Sequence, residues 1–144
     1  MKVGDWLYYV GWSEETRPWM QVWIVTSIMR RPQRRSNISW FVPVKKGTGE
    51  KTVYLRWHLP PKWSSLRSHH DTFALSRWPH NTVYCASELA AWRRALPLIQ
   101  AEVVRAEAGL AESVAEGDEI SVKEWKASLR QLRANRTIIE RNAR

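Results

Sequence analysis

TVYLRW, residues 52–57, alternates along its length, with Val53, Leu55 and Trp57 on one side and the intervening residues on the other. A repeat of two residues is typical of a half-buried β-strand. The preceding KGTGE, residues 46–50, has the glycines and polar residues of a hairpin turn. The stretch therefore predicts the second strand of a β-hairpin.

Segments N-terminal to this strand follow the same pattern. They are residues 6–10, 20–28 and 37–44. In the second of them, strict alternation places Ile28 on the same face as Val22 and Ile24, opposite Trp23. Four short strands separated by turn signals predict a small antiparallel β-barrel.

Residues 58–84 have no clear period and contain Pro60-Pro61 and Trp78-Pro79. We expect a loop that wraps the barrel, with a short helix or a fifth strand near residues 82–84. Its apolar residues are expected to hold it against the barrel.

The C-terminal part of the chain has the period of α-helices. The apolar positions of the first helix recur at intervals of three and four residues: Leu89, Trp92, Leu96, Ile99, Val103, Ala106 and Leu110. This spacing predicts a helix over about 88–116, with Ser87 as its N-cap and Pro97 as a kink or break. Ser121 and Glu124 match a capping box, which predicts a second helix over about 122–141.

Two such stripes joined by a short turn containing Gly117 predict an antiparallel helical hairpin. The expected fold class is α+β: a small antiparallel SH3-like β-barrel with its wrapping loop over residues 1–84, and the hairpin over 85–144. Pairing of the two stripes within one chain or between chains remains open.

The opening KVGDWLYYV, residues 2–10, resembles the first strand of SH3-like barrels of the KOW and Tudor type, and VWIV at residues 22–25 is similar to their second strand. A barrel followed by VYCAS at 83–87 and a helix resembles small phage-encoded proteins of unassigned function. The resemblance implies binding of nucleic acid or peptides and assigns no functional residue.

The chain of 144 residues has a formal net charge of +9. Residues 1–80 hold 13 of its 23 basic residues and only 5 of its 14 acidic ones. Such an excess of positive charge favours an anionic partner. The single cysteine, Cys85, and the lack of a signal peptide or an apolar span predict a cytoplasmic protein, in a bacterial host cell if it is phage-encoded, with no membrane partner.

The strongest candidate binding feature is the arginine loop, residues 29–36, between two predicted strands. Its basic residues are Arg30, Arg31, Arg34 and Arg35. Guanidinium groups without nearby carboxylates should project into water, where they bind phosphate and stack on bases. Lys45, Lys46 and Lys51 are expected to extend this surface. The alternative is a solvated loop that only aids solubility.

One face of four strands cannot bury all six tryptophans of residues 1–57, which are Trp6, Trp12, Trp19, Trp23, Trp40 and Trp57. Trp12, Trp19 and Trp23 are therefore candidates for an exposed stacking surface beside the arginines. An exposed set would serve equally well as a hot spot for a protein partner, and core packing is the competing interpretation.

A secondary basic face is expected on the last helix, at Lys126, Arg130 and Arg133, with a solvated or ion-paired face as the alternative. No metal-binding spacing, phosphate loop or catalytic pairing is present, so we expect no cofactor, no metal and no enzymatic activity.

Three hypotheses remain at the level of sequence. The first is direct binding of nucleic acid through the arginine loop and nearby aromatic residues. The second is a phage-encoded interaction module or inhibitor that docks on a host polymerase, nuclease or defence complex. The third is a structural role in which the helices pair between chains.

Overall fold

The computed structural model describes residues 1–30, 50–58 and 70–144. Over these residues the fold is α+β: a four-stranded antiparallel sheet is followed by two helices. The strands are β1 at Trp6–Gly11, β2 at Trp19–Arg30, β3 at Lys51–Trp57 and β4 at His70–Ala74. The helices are α1 at Glu88–Glu116 and α2 at Glu119–Asn142.

The sheet has the order β1-β2-β3-β4, and within the described residues it is open. Three of the predicted strands, those over residues 6–10, 20–28 and 52–57, are confirmed with small changes at their ends. The predicted strand at residues 37–44 lies outside the described residues.

The chain divides into two compact units. The first contains residues 1–7 and 21–85, and the second contains residues 8–20 and 86–144. Strands β1 and β2 each continue from one unit into the other.

The first unit buries one face of the sheet. Its core residues are cross-strand partners: Trp23 lies opposite Trp57, and Val25 lies opposite Leu55. The two indoles stack with ring centroids 5.7 Å apart and an interplanar angle of 12°. Stacking of large aromatic rings combines extensive apolar burial with a favourable ring geometry, so this pair contributes to the stability of the unit.

A β-bulge in β2 corrects the predicted faces of that strand. The register shifts between Val25 and Ser27, so Thr26 has no partner and its hydroxyl donates a hydrogen bond to the Tyr54 carbonyl, at 3.1 Å. One extra residue reverses the alternation beyond it. Ile28 consequently lies opposite Val53, on the face of Trp23 rather than that of Ile24.

The expectation for residues 58–84 is wrong in one respect. The additional strand is β4, at His70–Ala74, followed by a 3-10 helix at Leu75–Arg77, and no strand forms at residues 82–84. The first three residues of β4 are polar and exposed, and within β4 only Phe73 is buried. A single buried residue is too short a pattern to indicate a strand.

In the second unit, α1 and α2 form an antiparallel hairpin within the chain. Arg93, near the start of α1, donates a hydrogen bond to the carbonyl of Ala143, just after the end of α2, at 3.1 Å. Gly117 ends α1 in the left-handed conformation, with φ of 74°, as a helix C-terminus commonly requires. Pro97 lies inside α1, which continues as a helix from Glu88 to Glu116.

The start of α2 differs from the prediction. Asp118 is the N-cap, and its carboxylate accepts hydrogen bonds from the backbone N–H and the hydroxyl of Ser121. Ser121 is therefore inside the helix, and the helix begins at Glu119 instead of Val122. An aspartate caps a helix as well as a serine, and it stands here directly after the glycine that ends α1.

Burial in α1 follows the predicted stripe only in the middle of the helix. Ile99, Val103 and Ala106 are buried, as expected, but at the N-terminal end Ala91 and Ala95 are buried and Leu89 is 40% exposed. Small residues thus occupy the buried side of the first two turns. No helix in the described part of the chain is both long and apolar enough to cross a lipid bilayer.

Candidate nucleic-acid interface

The candidate site is the outer sheet face, the side of the sheet in the first unit opposite the stacked Trp23 and Trp57. We define it by Trp6, Ile24, Arg56, His58 and His70. Arg56 lies between Ile24 and His70 as a cross-strand partner of both, so the three side chains form a row across β2, β3 and β4. Arg56 and His70 are exposed, and Ile24 is half-buried.

Trp6 and His58 form an aromatic pair on this face. Their ring centroids are 4.8 Å apart and their planes are inclined at 48°. Trp6 is 49% exposed, which is unusual for so large an apolar side chain. The pair therefore presents aromatic surface to solvent.

Backbone hydrogen bonds position both rings. The His58 N–H donates to the Val22 carbonyl at 2.8 Å, which extends the β3 ladder by one residue and keeps His58 on the side of Arg56. On the other strand, Gly4 donates to the Val25 carbonyl and Asp5 accepts from the Val25 N–H, both at 2.9 Å. These two bonds place Trp6 at the start of β1 beside β2.

Arg56 is the cationic group of this face. It forms no hydrogen bond or ion pair with any described residue. Because Arg56 and His58 are two residues apart on one strand, their backbones are separated by about 7 Å. A phosphate bound by the guanidinium would thus lie within one nucleotide of the aromatic pair.

The carboxylates of the first unit are engaged elsewhere. Asp5 accepts a hydrogen bond from the backbone N–H of Lys2 at 2.7 Å. Asp71 accepts one from the Thr72 N–H at 2.7 Å and another from the hydroxyl of Tyr84. Glu50 accepts a hydrogen bond from the hydroxyl of Ser76. None of these described carboxylates neutralises Arg56.

One end of the sheet carries two more cations. Arg30 and Lys51 are cross-strand partners at the ends of β2 and β3, and both are exposed. They are the described members of the predicted arginine and lysine surface. Its other members lie outside the described residues: Arg31, Arg34, Arg35, Lys45 and Lys46.

The predicted aromatic residues are not brought together. Trp23 is only 8% exposed and packs between Trp57 and Tyr84, so its faces are not available to a base, which corrects its assignment as a binding residue. Trp12 and Trp19 are half-buried members of the second unit. The indole N–H of Trp12 donates to Glu102 at 2.8 Å.

The secondary basic face of α2 is present in reduced form. Lys126 and Arg130 are exposed beside a shallow cavity of about 490 Å³, which Lys123 also lines. Arg133 instead forms an ion pair with Glu107 of α1 at 3.0 Å. At this position the structure therefore has the ion-paired alternative, with an exposed pair that offsets part of the Arg133 charge.

Within the described residues, no group of three histidine, cysteine or acidic side chains is placed to hold a metal ion. His69, a residue of a type that can bind metals, lies outside the described residues. Cys85 is buried, with 7% of its surface exposed.

The pattern of residues 52–57 did contain part of the signal for the outer sheet face, because it placed Arg56 on the side opposite Leu55. The contact of Trp6 with His58 joins residues that are far apart in sequence. Finding it requires the strand pairing, which periodicity alone does not provide.

Comparison of the chain with known proteins finds no matching family model, no matching curated protein and no matching solved structure.

Proposed function

We propose that the protein is a non-catalytic binding protein that binds single-stranded nucleic acid on its outer sheet face. The observation that supports this most directly is the Trp6–His58 pair, in which Trp6 is exposed, beside an arginine with no partner among the described residues. Proteins that bind single strands combine aromatic stacking surfaces with cationic groups for the backbone. One base would stack on Trp6 while Arg56 contacts an adjacent phosphate.

Base stacking on Trp6 would supply most of the affinity, and the cations would attract the negatively charged strand to the protein. A stacked base contributes about 1–3 kcal/mol, and it does so with little dependence on sequence. Each phosphate contact adds an electrostatic contribution that weakens with salt. Arg30 and Lys51, with the remaining arginine loop and Lys45 and Lys46, would extend the path of the backbone.

The proposal includes an SH3-like barrel for residues 1–84. Consecutive antiparallel strands and the bulge that bends β2 support this finer assignment. An NMR structure of the free protein tests it: hydrogen bonds that close the sheet are expected, and an open sheet over the complete chain would contradict it.

The test of function is a titration of a fluorescently labelled oligothymidine and an oligouridine with the intact protein, followed by anisotropy. The double variant Trp6→Ala/Arg56→Ala should bind at least about tenfold more weakly, since it loses one stacked base and one phosphate contact. Arg77→Ala is the matched control, because Arg77 is an exposed arginine of the same unit outside the outer sheet face. Equal affinity of the double variant and the control would contradict the proposal.

A second candidate is an interaction module or inhibitor that docks on a host complex, in line with the resemblance to phage proteins. It is favoured by apolar side chains that α1 and α2 expose to solvent: Val104 is 63% exposed, Val114 is 59% and Ile120 is 75%. Affinity purification from cells, with and without nuclease, distinguishes the two. A defined protein that survives nuclease and is lost with Val104→Glu supports docking, whereas loss on nuclease treatment supports binding of nucleic acid.

A further inference from the structure

The second unit contains a cavity of about 350 Å³ that brings aromatic and acidic side chains together. We call it the indole pocket. Its lining includes Trp12, Glu14, Glu102, Arg105 and Trp125. Two indoles and two carboxylates thus meet in a protein with a net charge of +9.

Glu102 is the central group of the pocket. It is half-buried, and its Oε2 accepts the hydrogen bond from the Trp12 indole. Its Oε1 accepts no hydrogen bond from a described residue, and no cation lies within ion-pair distance of it there. A partly buried carboxylate with one neutral donor is incompletely compensated for the water it has lost.

The other charged groups of the pocket are also unpaired. Glu14 and Arg105 are exposed, and neither forms a hydrogen bond or ion pair with a described residue. Glu14, Glu102 and Arg105 leave the pocket with an excess of one negative charge. A ligand with a single positive charge would neutralise this excess.

The pocket is held in shape by neighbouring residues. Asn135 is fully buried, and its Nδ2 donates to the carbonyls of Ser13 and Thr16 at 2.9 and 3.1 Å. Gln131 donates to the Oδ1 of Asn135 at 2.9 Å. These bonds fasten the loop that carries Trp12 and Glu14 onto α2, so the walls are ordered before any ligand arrives.

We propose that the indole pocket binds an organic cation, an ammonium or guanidinium group on an aliphatic stem. The indoles would contact the stem and the cation, for which tryptophan is the best aromatic partner, and Glu102 would accept the hydrogen bonds of the charged head. The volume suits one lysine or arginine side chain or a small amine. This inference does not depend on the binding of nucleic acid.

The experiment follows the indole N–H resonances of Trp12 and Trp125 by NMR during titration of the intact protein. The probes are Nα-acetyl-arginine amide, Nα-acetyl-lysine amide and agmatine, with Nα-acetyl-norleucine amide as the uncharged control. We expect saturable shifts at millimolar concentrations of the cations and at least about tenfold weaker binding of norleucine. Stronger binding of the capped amino acids than of agmatine would indicate a partner's side chain, and the reverse would indicate a free amine.

Variants separate recognition from folding. Glu102→Gln keeps the shape of the side chain and removes its charge, and this variant should weaken cation binding about tenfold. Glu14→Gln changes an exposed position, so it should weaken cation binding by a smaller factor without affecting the fold. Glu112→Gln, an exposed α1 glutamate outside the pocket, is the control and should change nothing. Equal binding of norleucine and arginine, or full binding by both pocket variants, would overturn the proposal.

Discussion

The indole of Trp125 lies directly against Gly109. A Cβ atom at Gly109 would stand 2.6 Å from ring carbons Cε2 and Cζ2 of Trp125. The absence of a side chain at this position of α1 therefore allows α2 to place its tryptophan as a wall of the indole pocket.

We expect Gly109→Ala to move Trp125. At an unobstructed helix position this substitution stabilises a protein by about 1 kcal/mol. Here the new methyl group must displace a packed ring, so that gain should be absent and the variant should be no more stable than the parent. Urea unfolding measures this, with Ala108→Gly as the reference for the helix propensity at an exposed neighbour. An increase of about 1 kcal/mol in the free energy of unfolding would show that the Trp125 ring moves aside without cost.

Asn135→Ala should destabilise the second unit strongly. The change leaves the carbonyls of Ser13 and Thr16 without their buried donor, at a cost of roughly 1–3 kcal/mol. Asn142→Ala provides the comparison, because the Asn142 amide bonds only the Ile138 carbonyl at an exposed position. Denaturant midpoints that fall equally in the two variants would refute a special role for Asn135.

The stability of the second unit should fall in strongly alkaline solution because of Tyr9. Burial, and after it the negative charge of Glu102, raises the pKa of Tyr9 above its ordinary value of 10.0. The unfolded chain then releases this proton at a lower pH than the folded chain, so the free energy of unfolding decreases as pH rises above 10.0. Phenolate absorbance of the parent, with Tyr9→Phe subtracted, reports the titration.

Glu102→Gln should lower the pKa of Tyr9 while leaving it above 10.0, because the larger cause, burial, remains. An unchanged pKa would mean that the Glu102 carboxylate does not act on the phenol.

Arg56 and Trp6 should affect the binding of nucleic acid in different ways. Arg56→Ala removes a phosphate contact, so the slope of log affinity against log salt should become shallower by about 0.7 for a single strand. Trp6→Ala should weaken binding at every salt concentration and keep the slope, since stacking releases no counterion. Affinities at several salt concentrations measure both effects. The same change of salt slope in Arg56→Ala and Trp6→Ala would argue against separate roles.

The α+β class and both helices follow from the periodicity of the sequence because their apolar positions recur over many residues. Strand β4 does not, since Phe73 is its single buried residue and the preceding residues are polar. The bulge at Thr26 is also invisible, because nothing in a run of apolar residues shows which one lacks a partner. Asp118 and Ser121 are both good N-caps, and only the geometry distinguishes them.

None of the five residues that define the outer sheet face was predicted as a binding residue, whereas two of the predicted cations lie at one end of the same sheet. Arg30 and Lys51 are exposed at the expected end of the sheet because charged residues beside a turn have no route into the core. Which tryptophans are exposed depends on strand pairing: Trp23 is buried against Trp57, whereas Trp6 contacts His58 and keeps half its surface in solvent.

Strand β2 carries one residue more than its partner strand requires. Removing Thr26 would leave the partnerships of Val25 with Leu55 and of Ile28 with Val53 unchanged, and only the local bend would be lost. A single-codon deletion at this position is therefore compatible with the same core. A change of length within a strand normally disrupts its alternating pattern, and Thr26 is a described position of β2 at which it would not.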